Sequence, residues 1–286
     1  MTHVSRRQFL KASALTVAAI SFRGSAWAED SKKMRISVQL YSVRDDCKKD
    51  FDAALAQIAA MGFAGVEFAG YHTYAGKAAE LRKRLDDLNL KAAGTHLGTA
   101  NLIGDALDKA IAFHKTLGCK FLLVPNDKDF IDPEKSKALA ETFNKAAEKL
   151  KPLDMACGYH NHQKEFTLDG DKTYWDLFAE RTSKDVVLQL DCGWAWTAKQ
   201  NPAELIKRHP GRTRITHFKP AAAPDKVPIL GRDSVDWVEV TKACRDFGGT
   251  EWTTIEQERY LPGISPMECT KMSLAGLKKI CSDLKI

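Results

Sequence analysis

Four residues able to ligate a metal recur at near-regular intervals in the second half of this 286-residue chain. They are His160 in Gly158-Tyr-His-Asn-His162, Asp191 in Leu188-Gln-Leu-Asp-Cys-Gly-Trp194, His217 in Ile215-Thr-His-Phe-Lys219, and Glu256 in Thr253-Thr-Ile-Glu-Gln-Glu258. The gaps are 31, 26 and 39 residues, each close to one strand-plus-helix unit. Each residue ends a short apolar or β-branched run. Two imidazoles and two carboxylates suit one divalent first-row ion, whether Mn, Co, Zn, Ni or Fe. Taken singly, each has a plainer role. His160 and His217 can be hydrogen-bonded core histidines, Asp191 a helix N-cap and Glu256 a solvated loop carboxylate. All four at the ends of consecutive strands favour a shared metal site, because a parallel barrel brings those ends to one face.

The elements that must position them are legible as alternating periods. Strand candidates are Arg35–Gln39, Val66–Ala69, Lys91–Thr95, Phe121–Pro125, Ala156–His160, Val186–Leu190, Arg214–Phe218 and Trp252–Glu256. Between them run helix-period segments: Phe51–Met61, Ala78–Leu88, Gly104–Leu117, Pro133–Leu150, Thr173–Arg181, Pro202–His209 and Val235–Phe247. A last helix, Pro266–Asp283, can cover the bottom or close the ring. Glycine follows Met61, Leu117 and Phe247, where a left-handed cap would end each helix. Alternating strands and helices imply a parallel sheet. Eight units in about 250 residues favour a closed (β/α)8 TIM barrel, class α/β, as a single domain. No Gly-x-Gly-x-x-Gly follows the first strand, which counts against a dinucleotide fold.

The ends and the composition narrow the class further. Residues 1–28 read as a twin-arginine signal peptide. Ser5-Arg-Arg-Gln-Phe-Leu-Lys11 precedes a weakly apolar stretch, and Ala26-Trp27-Ala28 offers a cleavage site. The expected domains are therefore 1–28, a signal handled by the twin-arginine export machinery, and 29–286, a barrel released to the periplasm or the medium. The formal charge of +6 includes Arg6, Arg7, Lys11 and Arg23, so the mature chain carries only +2. That gives no case for nucleic acid, and no other segment is apolar enough to hold the mature chain in a membrane. A homo-oligomer is compatible with the sequence. Seven cysteines without a Cys-x-x-Cys pair argue against a disulfide framework.

Strand parity sorts the remaining polar residues. His160 and His162 share one face of the fifth strand, which strengthens the ligand reading, and Asn161 faces the other way. Glu67 ends the second strand and can bind a sugar hydroxyl or pair with a barrel lysine. His96 ends the third strand in a glycine-flanked loop and suits a substrate role. Lys219, two residues past His217, can meet an oxyanion or stay solvated. Trp194 and Trp196, just past Asp191, can stack on a sugar ring or pack a loop.

The chain resembles the xylose-isomerase-like (β/α)8 group often called sugar phosphate isomerases/epimerases, over about residues 34–286. The matching segments are Val38-Gln-Leu-Tyr-Ser-Val-Arg44, Gly62-Phe-Ala-Gly-Val-Glu-Phe68, Gly94-Thr-His-Leu-Gly98, Tyr159-His-Asn-His162, Leu190-Asp-Cys-Gly193, Thr216-His-Phe-Lys219, Gly231-Arg-Asp-Ser-Val-Asp-Trp237 and Ile255-Glu-Gln-Glu258. The resemblance implies metal positions at Asp191, His217 and Glu256. Its fifth-strand ligand is usually a glutamate, where this chain has His160. Family members move a proton between two carboxylates while the metal polarises the substrate. Here Glu256 remains as ligand and base, and His162, His96 or Glu165 would supply a second proton-transfer group. Glu165 would do so by reaching back over the mouth. The expected function is metal-dependent isomerisation or epimerisation of a small carbohydrate through an enediolate. The alternatives are a lyase acting on 3-keto-glycosides, a chemistry associated with related exported proteins, and a sugar-binding barrel without chemistry. A metal-dependent endonuclease would need more ligands and a basic face.

Overall fold

The computed structural model describes residues 34–286. The signal-peptide reading of residues 1–28, and the boundary after it, lie outside the described residues. Eight parallel strands form the barrel: β1 Arg35–Gln39, β2 Gly65–Phe68, β3 Lys91–His96, β4 Phe121–Val124, β5 Ala156–His160, β6 Val187–Gln189, β7 Ile215–Phe218 and β8 Trp252–Ile255. Their order is β6-β5-β4-β3-β2-β1-β8-β7. The ring closes between β6 and β7 through a parallel bridge from Asp191 to His217, where the His217 amide donates to Leu190 O at 2.9 Å. The expected (β/α)8 barrel is the observed fold, and every expected strand lies within about one residue of its place.

Period-two alternation divides the strand residues between two cores. Phe121 and Leu123 of β4 join Ala93, Ala156, Val187, Ile215 and Trp252 in a small apolar cluster inside the barrel. Leu122 and Val124 of the same strand face the surrounding helices, with Val38, Val66, Tyr159 and Phe218. Above the inner cluster the interior becomes polar. Ser37 and Thr254 share a 2.8 Å hydrogen bond across β1 and β8. Gln39, Glu67, His160, Gln189, His217 and Glu256 follow at or beyond the C-terminal ends of their strands, all buried. Burying so many polar groups is tolerable only where they satisfy one another or hold a ligand.

Among the described residues ten α-helices surround the ring: α1 Arg44–Lys49, α2 Phe51–Met61, α3 Ala78–Asp87, α4 Gly104–Leu117, α5 Lys135–Leu150, α6 Tyr174–Arg181, α7 Cys192–Thr197, α8 Pro202–Arg208, α9 Trp237–Ala243 and α10 Pro266–Leu284. Gly62 and Gly118 cap α2 and α4 with φ of 86° and 78°, as their positions required. The expected helix over Val235–Phe247 is shorter. After α9 it passes into a wider π turn, Cys244–Gly248, and the left-handed residue is Gly249 rather than Gly248. The last helix, α10, buries Met267, Leu274 and Leu277 and packs on β8 and on the turn after β1, so it completes the ring instead of covering its floor. Elements not expected include α1, α7 directly after Asp191, and a small antiparallel hairpin, Leu168–Asp169 with Lys172–Thr173. All seven cysteines are free thiols. Among the described residues no helix is long and apolar enough to cross a membrane.

Candidate metal centre

His160, Asp191, His217 and Glu256 meet at the C-terminal mouth. One ligand atom from each lies within 4.8 Å of all the others, and all four residues are buried. Parity explains the convergence. In β5 the Cys157 and Tyr159 side chains face the helices, so His160 faces inward. In β7 Phe218 faces outward and His217 inward, and in β8 Ile255 faces outward while Glu256, one residue past the strand, turns in.

Asp191 serves two purposes at once. Its Oδ1 accepts from the Trp194 amide at 2.8 Å and caps α7, the plainer role anticipated for it. Its Oδ2 is buried with no hydrogen-bond partner, 3.9 Å from His217 Nδ1. Burial, with Glu256 adding to it against the pull of Lys219, pushes this carboxyl up to about 8. His160 has the matching deficit: Nδ1 is buried and unpartnered. Burial, and then His217 and His96, hold its pKa well below the ordinary histidine value, so the ring is neutral and offers a lone pair.

His217 is oriented from behind. Its Nε2 donates to Glu67 Oε1 at 2.8 Å, which turns Nδ1 toward Asp191 and Glu256, the latter at 3.2 Å. Burial opposes charge on this ring, yet Glu67 and Glu256 on either side push its pKa up to about 10. The carboxylates thus hold a proton where a divalent cation would satisfy the same lone pair. Two orphaned buried atoms, a histidine fixed by a carboxylate and a second carboxylate make a donor set that fits one divalent ion.

Other anticipated site residues fall in three places. Glu67 is fully buried and surrounded: Gln39 Nε2, Gln189 Nε2 and His217 Nε2 donate to it at 2.8 Å, and His96 Nε2, bonded to Gln189 Oε1 at 3.0 Å, lies 2.8 Å from its Oε1. Burial works against its charge, but His217 and His96 hold its pKa down at about 2. Its oxygens are engaged by the protein, so it supports His217 and is not placed to bind a sugar hydroxyl. His96 stacks on His217, with ring centroids 5.4 Å apart, and keeps partial exposure at the mouth. His162 lies edge-on to His160 at 5.0 Å and 5.6 Å from Trp194, with no side-chain hydrogen bond among the described residues. Burial pulls its pKa down to about 4.

Lys219 faces the cluster, on the same side as His217 two residues before it. It follows the last residue of β7, and its Nζ lies 3.3 Å from Glu256 Oε2, bonds Glu258 and stands 4.8 Å over the Trp194 ring. Burial opposes its charge, but Glu256, Asp191 and Glu258 raise its pKa above the ordinary lysine value. Burial likewise opposes the Glu256 carboxylate, and Lys219 and His217 hold it well below the usual range.

Glu165 does not reach over the mouth. It is fully buried, accepts from the His162 amide at 2.8 Å and from Tyr159 Oη at 3.3 Å, and so joins the outer layer between barrel and helices.

Three contributors were not singled out from the sequence. Gln39 and Gln189 fix Glu67, and Asn161 ties the ends of β5 and β6 by accepting from the Asp191 amide at 2.9 Å. For Gln39 and Gln189 the available signal was a polar residue at an inward position of an otherwise apolar strand.

An eight-stranded parallel barrel, with a buried His–Asp–His–Glu cluster at its C-terminal mouth, places the chain among the (β/α)8 TIM barrels. The chain belongs to the xylose isomerase-like TIM barrel family, whose model matches residues 55–280. No curated protein sequence matches it significantly. Among solved structures it is similar to a sugar phosphate isomerase/epimerase from Parabacteroides distasonis, at 24% identity and TM-score 0.73, covering 86% of this chain and 96% of that one. It is also similar to an L-ribulose 3-epimerase, at 16% identity and TM-score 0.67, over 88% and 97%. A third is the IOLI protein, solved with a zinc atom, at 13% identity and TM-score 0.65, over 87% and 99%. At these identities the likenesses bear on the fold.

Proposed function

We propose that this protein is a divalent-metal-dependent enzyme that removes a proton beside a sugar carbonyl, as in isomerisation or epimerisation through an enediolate. The observation that carries the reading is the buried four-ligand cluster with His160 Nδ1 and Asp191 Oδ2 left unpartnered. Family membership supports it, as do the activities named for structural relatives: sugar phosphate isomerase/epimerase and L-ribulose 3-epimerase. His160, Asp191, His217 and Glu256 would hold the ion. A divalent ion supplies Lewis acidity that polarises a carbonyl and steadies adjacent negative charge.

The chain's own residues divide the remaining work. Glu256 Oε2 is engaged by His217 and Lys219, while no hydrogen bond among the described residues reaches Oε1, which is free to take the proton from carbon. His162, unbonded at the mouth, is the second group free to carry a proton. His96, beside His160, and Trp194, beside His162, would meet the substrate. Incubating metal-loaded protein with a panel of free ketoses and keto-glycosides in deuterated water tests the reading. Deuterium at the carbon next to the carbonyl supports it. Absence of stoichiometric metal, with His217→Ala unchanged in metal content and activity, sinks it.

One observation favours a second reading. His160 occupies the fifth-strand position and Glu165 is turned outward, so the ligand cluster has one carboxylate suited to act as base. Single-base chemistry fits removal of a proton α to a ketone with loss of a β-leaving group. Release of the aglycone and an unsaturated sugar from a 3-keto-glycoside, without an epimer, would establish this lyase reaction. We also propose export by the twin-arginine route, supported by Arg6, Arg7 and the Ala26-Trp27-Ala28 site. Arg6→Lys with Arg7→Lys is expected to retain the full-length chain in the cytoplasm, seen by fractionation.

A further inference from the structure

The C-terminal mouth of the barrel gathers carboxylates; the opposite end gathers cations. There a cavity of about 400 Å3 opens among the starts of β1, β3, β4 and β8, within the size range of small-molecule sites. Trp252 lines it and belongs to the inner apolar cluster, which lies between the cavity and the metal ligands. Four cations line the cavity, Arg35, Lys91, Lys115 and Lys120, against two carboxylates, Asp154 and Glu251. Both carboxylates are already engaged. Glu251 Oε1 accepts from Arg214 Nε and Nη2 at 2.9 and 2.6 Å, and Lys120 Nζ lies 3.1 Å from Asp154 and 3.5 Å from Glu251. Arg35 and Lys115 pair with no carboxylate among the described residues, and Lys91 reaches Asp86, outside the cavity, at 3.5 Å. His114 adds no charge, because burial lowers its pKa and Tyr71 Oη donates to its Nε2 at 2.7 Å. Lys115 has a plainer role in the last turn of α4, where a cation favours the helix end. The other three have none of that kind: Arg35 and Lys91 open β1 and β3, and Lys120 precedes β4. Arg35 is the best prepared. Its guanidinium carbon lies over the Trp252 ring, 4.0 Å from the centre. A guanidinium resting on a ring spends its face there and keeps N–H groups at its edge, and that edge matches a carboxylate or phosphate with two parallel hydrogen bonds.

We propose that this cavity is a second ligand site, for a small organic anion that carries two or more negative charges on carboxylate or phosphate groups, anchored by Arg35, Lys91, Lys115 and Lys120. The anion meets the surplus of positive charge that the two engaged carboxylates leave, and it ties the first residues of β1 and β3 to the approach to β4. With the inner apolar cluster between them, it takes no part in chemistry at the metal ligands. The site is independent of the reading of the mouth, because it needs neither the ion nor a sugar.

The test is calorimetry on the purified protein in about 0.15 M NaCl, where attraction between well-separated exposed charges is largely screened. Two probes distinguish the sources of the charge: glycerol 2-phosphate for phosphates and tricarballylate for polycarboxylates. Wild-type protein is expected to bind one equivalent of at least one of them. Binding of the first alone assigns a phosphate ligand, of the second alone a polycarboxylate, and of both a site that reads charge and size. Arg35→Gln is expected to weaken the affinity about tenfold or more, while Glu256→Gln, at the other mouth, leaves it unchanged. If Arg35→Gln does not fold, Lys91→Gln combined with Lys115→Gln decides, with the same loss expected. Failure of both probes to bind the wild-type protein at about 10 mM overturns the proposal. So does binding that Arg35→Gln, or the double lysine variant in its place, leaves intact, or that Glu256→Gln abolishes.

Discussion

Glu67 shows how much of this site is set by a residue that need not touch a ligand. Three donors and the nearby His96 ring engage it, and its hydrogen bond with His217 Nε2 decides which ring nitrogen faces the cluster. Glu67→Gln keeps the shape but removes the charge that fixes the tautomer. Such a change is expected to weaken metal affinity about 10–100-fold with the fold intact, measurable by metal titration. Asp191→Asn separates the two tasks of Asp191. Asparagine caps helices as well as aspartate, so α7 should persist by circular dichroism while stoichiometric metal is lost. That the four cluster residues would converge was legible because each lies at or near the end of a strand. Glu67's real task was not, because it depends on Gln39 and Gln189, which are close only after β1, β2 and β6 assemble. Glu165 was misplaced for a related reason: sequence distance from His160 says nothing about the turn Lys164–Phe166, which points its carboxylate outward.

Among the elements, β5 and β6 approach each other unusually closely. A Cβ on Gly158 would lie inside van der Waals contact of the Val187 carbonyl oxygen. Gly158→Ala is therefore expected to push the strands apart and cost about 1–3 kcal/mol, read as a lowered denaturation midpoint. Helix α6 carries a pH-dependent contribution. Asp176 pairs with Thr173 in a reciprocal cap and accepts from Arg208 Nη1 at 2.9 Å and His209 Nε2 at 3.0 Å, joining α6 to the end of α8. Burial alone would raise its pKa, but hydrogen bonds from His209, Thr173 and Arg208 lower it below the ordinary carboxylate value. A carboxylate depressed in the folded state stabilises above its unfolded pKa, and that stability is lost as pH falls through the folded value. Wild-type protein should thus lose stability as pH falls below about 4, and Asp176→Ala should be less stable by about 1–3 kcal/mol at neutral pH with a flatter acid limb. At this scale the sequence periods located strands and most helices. They missed α7 because six residues containing Gly193 and two tryptophans show no clear period. What makes those residues helical is Asp191 at the cap.

At the scale of the whole molecule, the ring's weakest seam and its ligand cluster coincide. Strands β6 and β7 do not form a continuous ladder. They meet through the Asp191–His217 bridge, and both of these residues belong to the cluster. Metal bound to the native state alone should stabilise it by about 2.7 kcal/mol at 100 times its dissociation constant, so chelation should lower the melting temperature. The effect should be local as well as global. The His217 amide, donated across the seam to Leu190, is expected to exchange with deuterium faster after chelation, while amides at the β3–β4 junction change little. A barrel is usually pictured as a finished scaffold onto which a cofactor is added. Here the ion would act as the clasp of a hoop: the chain supplies a nearly complete ring, and occupancy of the mouth decides how firmly its two ends are held.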